Sequence, residues 1–240
     1  MLWCSRIAAI AHPASGVNCT PHVVVVKPDY SVLVRIILIH GMGRTSVSLA
    51  LLSGRLKRAG HDVSSFGYFV SRDALDVIGD QFVDQIVSHG GLDAPFAVIG
   101  HSLGNIITRS VLPLLTGLTH FVMLAPPNQS PALARRLQNN PIFKALTQDA
   151  GRKLADAATF YAALPVPVVP TLIIAGTRGP RFEGSPWEGK TNDGVVAVDE
   201  TRLSGSNIEH VTVSAVHTLI MNDAEATRLA LAFLSSSSSS

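Results

Sequence analysis

Phe96-Ala97-Val98-Ile99-Gly100-His101-Ser102-Leu103-Gly104 is the stretch that decides this chain. Its first four residues are an apolar run of strand length. Behind Gly104, the residues Asn105, Ile106, Ile107, Val111 and Leu112 continue with helical spacing. A Gly-x-Ser-x-Gly pentapeptide at such a junction places Ser102 on a sharp strand-to-helix turn. There its hydroxyl projects clear of the backbone, where a histidine can take its proton. The two glycines answer a turn too crowded for most side chains. The pentapeptide alone is a weak signal in a Gly-rich chain; the strand before it and the helix after it give it meaning.

Working outward, residues 32–39 are a second apolar, β-branched run, read as a buried strand ending in His40-Gly41-Met42-Gly43. Thr45 is placed to cap a helix with Leu49, Leu52, Leu56 and Ala59 on one face, closed by Gly60. Residues 62–68 suggest a strand, and Ser71 a cap for a helix with the stripe Leu75, Ile78, Phe82 and Ile86. After the serine turn come a strand at 119–124, a mostly helical stretch at 131–164 broken at Pro141 and Pro165, and a strand at 171–175. The helical stretch reads as a small insertion or crossover on the active edge of the sheet. A long polar, Gly-rich loop covers 176–194. The last strand is expected at 211–216, ending at His217. Asn222 or Asp223 then opens a final helix carrying Leu229, Leu231 and Phe233. Strands alternating with helices imply right-handed crossovers and a mainly parallel sheet. Val23-Val24-Val25-Val26 reads as a further strand before a turn at Pro28-Asp29-Tyr30-Ser31, its place in the sheet open. The expected organisation is an N-terminal extension at 1–31, one α/β domain at 32–234, and a low-complexity serine tail at 235–240.

A chain of 240 residues that is 47% hydrophobic can bury one sizeable core. The net charge of +2, with dispersed Lys and Arg, points away from nucleic acid. No apolar stretch approaches the roughly 20 residues of a membrane-spanning helix. Both cysteines, Cys4 and Cys19, lie in the extension, where a disulfide would staple nothing of the core. No Cys/His spacing fits a structural zinc site. Residues 1–16 carry Arg6 before Ile7-Ala8-Ala9-Ile10-Ala11, an apolar run short for an export signal and ended by His12 and Pro13. A cytoplasmic location is therefore expected, with secretion the alternative. Asn18-Cys19-Thr20 and Asn128-Gln129-Ser130 fit the glycosylation triplet, which matters only in a secreted eukaryotic protein.

Parallel sheets place ligands beyond the carboxyl ends of their strands. His40-Gly41-Met42-Gly43, Ser102 and His217 all fall at such ends. Of the nine histidines, His217 is the preferred base, because it follows a strand and comes last in the chain. His210 starts the same strand and should lie at the opposite edge. His101 points away from its neighbour Ser102 and packs or lines the pocket, and His40 bonds the adjacent loop. The acid is harder to assign, since Gly176-Thr177-Arg178-Gly179 after the strand at 171–175 holds no carboxylate. Asp193 in Thr191-Asn192-Asp193-Gly194-Val195-Val196 is preferred over Asp199, Glu200, Glu183 and Glu188 on loop position and chain order. Its bland alternative is an Asx-turn residue that only shapes the loop. The backbone N–H groups of Leu103 and Met42 are the candidate oxyanion donors.

With His40-Gly41-Met42-Gly43, the serine pentapeptide, Thr191-Asn192-Asp193-Gly194-Val195-Val196 and Val216-His217 in this order, the chain resembles the α/β-hydrolase family, in particular its small bacterial esterases and lipases. The likeness runs from about Val34 to Phe233. It implies a mostly parallel central sheet flanked by helices, with no room for a large cap domain. It also implies Ser102 as nucleophile, Asp193 as acid and His217 as base, acting on a small-molecule or lipid ester through an acyl-enzyme. No cofactor or metal is needed for that chemistry. The small size suggests an open site and short- or medium-chain acyl groups, with long-chain lipids the alternative. Of Ala125, Pro126, Pro127, Leu133, Ile142, Phe143, Leu146, Phe160, Tyr161 and Leu164, some are candidates for an apolar acyl pocket, while helical spacing assigns most to core packing. A thioesterase, amidase or acyltransferase on the same three residues is the alternative, and a catalytically silent binding protein the remote one.

Overall fold

The computed structural model describes residues 34–156 and 159–236. The expected strand at Val23-Val24-Val25-Val26, the export segment, Cys4 and Cys19, and the Asn18-Cys19-Thr20 triplet lie outside the described residues. The strands are β1 (Arg35–Ile39), β2 (Asp62–Phe66), β3 (Phe96–His101), β4 (Leu118–Leu124), β5 (Thr171–Gly176) and β6 (Ile208–Val213). All pairs are parallel, in the order β2-β1-β3-β4-β5-β6. The inner strands β3 and β5 are buried at every residue, which is why they read as continuous apolar runs. The edge strands β2 and β6 mix in polar residues, since among the described residues one flank of each meets no partner strand.

Among the described residues, seven α-helices connect or cover the strands: α1 (Ala50–Arg58), α2 (Leu75–Ser88), α3 (Leu103–Ser110), α4 (Ala132–Leu137), α5 (Pro141–Ala155), α6 (Phe160–Ala163) and α7 (Ala224–Ser236). Strand side chains alternate between faces. One core layer therefore joins Ile37, Val98, Phe121 and Ile173 to Ile78 and Phe82 of α2 and Ile106 of α3. The other joins Ile36, Ile99, Val122 and Leu172 to Leu52 and Leu56 of α1 and Ala230 and Phe233 of α7.

Several boundaries differ from the sequence reading. Thr45 precedes a short 3-10 turn, Ser46–Leu49, and its side chain caps nothing. Ser71 does not cap α2. The Leu75 N–H instead donates to Asp149 Oδ2 of α5 at 3.2 Å, a partner 74 residues away that local sequence cannot reveal. The last strand starts at Ile208 and stops at Val213, because its ladder to β5 runs from Thr171↔Ile208 to Gly176↔Val213. His210 is thus mid-strand rather than at the strand's start, with Nε2 2.8 Å from Thr201 Oγ1. Asp223 opens α7, its Oδ1 accepting the Ala226 N–H at 2.8 Å. That helix runs through Ser236, so the serine tail begins inside it.

Asn128 is buried, donating to the Thr201 carbonyl at 2.8 Å and accepting from Arg109 Nη1 at 3.1 Å, so its triplet cannot accept a sugar in the folded chain. Arg109 also donates to the Leu164 and Pro165 carbonyls at 3.0 Å each, fastening the end of the crossover to α3. Burial lowers its pKa to about 10.

Gly104 shows how tightly α3 is seated. A Cβ there would lie 2.6 Å from the Ile39 carbonyl oxygen and 2.8 Å from that of His40, both backbone atoms. Gly104→Ala must separate α3 from β1 and is expected to destabilise by about 1–3 kcal/mol or more. The measurement is the urea midpoint. Gly54→Ala in α1, where a Cβ meets only the end of the Arg58 side chain at 3.7 Å, should leave it unchanged or raise it. Equal midpoints for wild type and Gly104→Ala would contradict this packing.

Candidate active site

Ser102 joins β3 to α3 with φ 49° and ψ −119°, a conformation costing a non-glycine residue on the order of 1–3 kcal/mol. Its surroundings hold it there. The Ser102 N–H donates to the Leu124 carbonyl at 2.9 Å, and the Asn105 N–H to the Ser102 carbonyl at 3.0 Å. Asn105 Nδ2 bonds the Ser102 and Leu124 carbonyls at 3.1 and 3.3 Å. In sequence Asn105 is only one residue of a helical stripe. Its place as a fully buried amide clamping the turn is a finding of the structure. A polar residue in an otherwise apolar stripe was the available signal.

The acid loop resolves the absence of a carboxylate directly after β5. The chain leaves the sheet at Thr177, makes a long excursion, and returns so that Asp193 sits against Gly176; a Cβ on that glycine would be 2.8 Å from Asp193 Cβ. The Gly179 N–H closes the excursion on the Asn192 carbonyl at 2.7 Å. Asp193 therefore lies at the carboxyl end of β5 although it is distant from it in sequence. The chain after β6 meets it there, the His217 N–H donating to the Asp193 carbonyl at 2.8 Å. His217 does not close the strand; it opens a 3-10 turn, His217–Asn222, beyond it.

The three side chains form one hydrogen-bonded row. His217 Nε2 is 2.9 Å from Ser102 Oγ, and Nδ1 is 2.7 Å from Asp193 Oδ2. Asp193 and His217 are both buried. The other carboxylate oxygen, Oδ1, accepts the Val195 and Val196 N–H groups at 2.9 and 2.7 Å. Asp193 is thus at once a loop-shaping Asx residue and the partner of His217, one oxygen for each.

The competing carboxylates are occupied elsewhere. Glu200 accepts the Ala132 and Ala197 N–H groups at 2.7 and 2.8 Å, and burial raises its pKa despite them. Asp199 pairs with Lys190 at 2.9 Å, and Glu183 and Glu188 are exposed.

The neighbouring histidines support the row. His101 is buried, and its Nε2–H donates to the His217 carbonyl at 3.0 Å with the two rings 5.0 Å apart. Burial, and then the nearby His217, hold its pKa well below the ordinary value, so it stays neutral. Gly41 passes so close that a Cβ would lie 2.7 Å from His101 Nδ1 and 3.0 Å from Ser102 Cβ. His40 shapes that loop. Its Nδ1 donates to the Gly41 carbonyl at 2.8 Å, its Nε2 accepts the Tyr68 N–H at 3.3 Å, and its ring stacks on Tyr68 at 4.3 Å.

Met42, Leu103 and Ser102 line one small pocket of about 100 Å³. Among the described residues, neither the Met42 nor the Leu103 amide donates to a protein acceptor. Of the apolar residues expected here, Pro127, Leu133 and Phe143 line the pocket. Ile142 and Leu146 face solvent instead, Leu164 is buried in the core, Phe160 and Tyr161 pack against it, and Ala125 belongs to the opposite core layer. Pro131, Ala134, Leu154, Val195 and Val196 complete the lining, none of them among the residues the sequence suggests for it. Their segments meet only in three dimensions. Among the described residues, no group of three or more His, Cys, Asp or Glu could hold a metal ion, and no helix is long and apolar enough to cross a membrane.

The parallel sheet with its flanking helices is shared with solved structures. A lipase of Bacillus licheniformis, BlEst2 in its mature form, superposes with a TM-score of 0.64 at 16% identity, over 85% of this chain and 92% of that one. The chain has the α/β-hydrolase fold. Lipase B of Aspergillus fumigatus shares this hydrolase fold with a TM-score of 0.63 at 15% identity, over 83% of this chain and 52% of that one. The thioesterase domain from the curacin biosynthetic pathway does so with a TM-score of 0.52 at 14% identity, over 85% and 92%. The sequence matches no family model and no curated protein. At identities this low the superpositions establish the fold alone.

Proposed function

We propose that the protein is a serine carboxylic ester hydrolase acting through an acyl-enzyme. The observation that carries this is the row Ser102 Oγ, His217 Nε2, His217 Nδ1 and Asp193 Oδ2, set beside an apolar pocket and two unbonded amides. In this mechanism His217 takes the Ser102 proton as Oγ attacks the ester carbonyl. The developing oxyanion is received by the Leu103 and Met42 N–H groups, which need give up no protein partner. His217 then passes the proton to the leaving alcohol. Water, deprotonated by His217, attacks the acyl carbonyl and releases the acid. Asp193 keeps the proton of neutral His217 on Nδ1 and offsets the imidazolium charge when it forms. The neutral, buried His101 holds the His217 backbone without adding a competing positive charge.

The pocket supports short acyl chains. An apolar cavity of about 150 Å³ holds a benzene ring, so one of about 100 Å³ takes only a few carbons. Fold neighbours that include lipases and a thioesterase leave the leaving group as the quantity to measure. The test compares kcat/KM for p-nitrophenyl esters, acyl-CoA thioesters and p-nitroanilides of the same acyl group. Oxygen esters are expected to be fastest. Faster turnover of the thioester or anilide would reassign the reaction.

A further inference from the structure

The pocket against Ser102 has one aromatic ring in its lining. Leu133, Leu154, Val196 and Phe143 of α5 line it. Phe143 also lines a groove of about 640 Å³, together with Gln138, Lys144, Thr147 and Arg152 among others. Phe143 is the only residue common to both linings. Among the described residues, the Phe143 side chain is thus the one that a cavity sized for a few carbons shares with a space several times larger.

The fold of α5 explains how the ring comes to lie there. The helix is kinked at Gln148, where φ is 44° and ψ −122°, which divides it into two arms. Gln148 Nε2 anchors the bend to the Ser71 carbonyl at 2.9 Å. Asp149, just past it, is tied to the N-terminus of α2. The bend brings Phe143 from the first arm and Leu154 from the second to the same pocket. The Phe143 ring rests over Gly151, where a Cβ would be 3.1 Å from Phe143 Cε1; a side chain at 151 would push the ring away. On the same arm, Ile142 and Leu146 are exposed and line neither space.

We infer that Phe143 is the residue that sets the acyl-chain length this enzyme accepts, acting as a wall between the acyl pocket and the α4–α5 groove. This rests on Ser102 being the nucleophile, as proposed above. The groove is half polar, so an alkyl chain entering it gains less than in a fully apolar tunnel. What the wall denies is room, and removing the ring supplies it.

The test uses the full chain with p-nitrophenyl butyrate and octanoate. Wild type is expected to prefer butyrate. Phe143→Ala should raise the octanoate-to-butyrate ratio of kcat/KM by about tenfold or more, the scale at which small changes in an apolar pocket discriminate between substrates. Phe143→Trp should lower the ratio, and Leu146→Ala should leave it unchanged. Phe143→Leu, a milder cut, reads the same shift should the alanine variant fold poorly. Unchanged ratios in the Phe143 variants, with turnover still abolished by Ser102→Ala, overturn the wall and leave the ester hydrolase intact. Turnover kept at the wild-type rate by Ser102→Ala overturns both.

Discussion

Ser102→Ala is expected to lower kcat for p-nitrophenyl ester hydrolysis by about a millionfold, the scale at which removing the serine of a comparable triad acts. The alcohol at 2.9 Å from His217 Nε2 is the only group in the row that can form the acyl bond, and alanine leaves the imidazole without a nucleophile to activate. The fold should survive. The turn is held by backbone atoms and Asn105, not by Oγ, so the urea midpoint is expected to stay near the wild-type value. A residual rate above water is expected from the Met42 and Leu103 amides and the pocket, which the substitution leaves in place. Full activity in the alanine variant would end the assignment of Ser102.

Asp193→Asn is the second large effect, expected to lower kcat by about ten-thousandfold. The geometry makes it a clean substitution. Asparagine keeps an oxygen where Oδ1 accepts the Val195 and Val196 N–H groups, so the loop holds its shape. Its amide nitrogen then faces His217 Nδ1 in place of Oδ2, and two donors cannot both be satisfied. The ring is driven to the tautomer whose Nε2 carries the hydrogen and can no longer accept the Ser102 proton. Glu200→Gln is the matched control. It removes a carboxylate that bonds two backbone amides but does not bond His217, so the loss should appear in stability and not in kcat. If Glu200→Gln abolished turnover while Asp193→Asn kept it, the acid would be Glu200.

Much of this was readable in the chain because the relevant signals are local. Ser102 is announced by two glycines at the junction of an apolar run and a helical stripe. Both glycines meet atoms that leave no space for a side chain: Asn105 at Gly100, and the Ile39 and His40 carbonyls at Gly104. The inner strands are legible because both their faces are buried, which demands apolar residues throughout. The edge strand β6 lies three residues earlier at each end than its apolar pattern suggests, for the converse reason: Glu209 and His210 lie within it, and only its ladder to β5 fixes where it begins.

Other features are non-local and leave no such trace. The cap of α2 comes from α5, and the pocket draws on residues from the first loop, the crossover and the acid loop. Asp193 could be ranked among five carboxylates by chain order, but its position at the end of β5 depends on a long loop returning to its starting point. Periodicity, glycines and chain order by themselves determined the class of fold, the strand ends and the candidate residues, because secondary structure and tight turns answer to neighbours a few positions away. The tertiary structure alone decided which carboxylate meets His217, which helix bounds the space beside Ser102 and where that space stops. Those are distances between segments far apart in the chain, and only the packing of the whole core sets them.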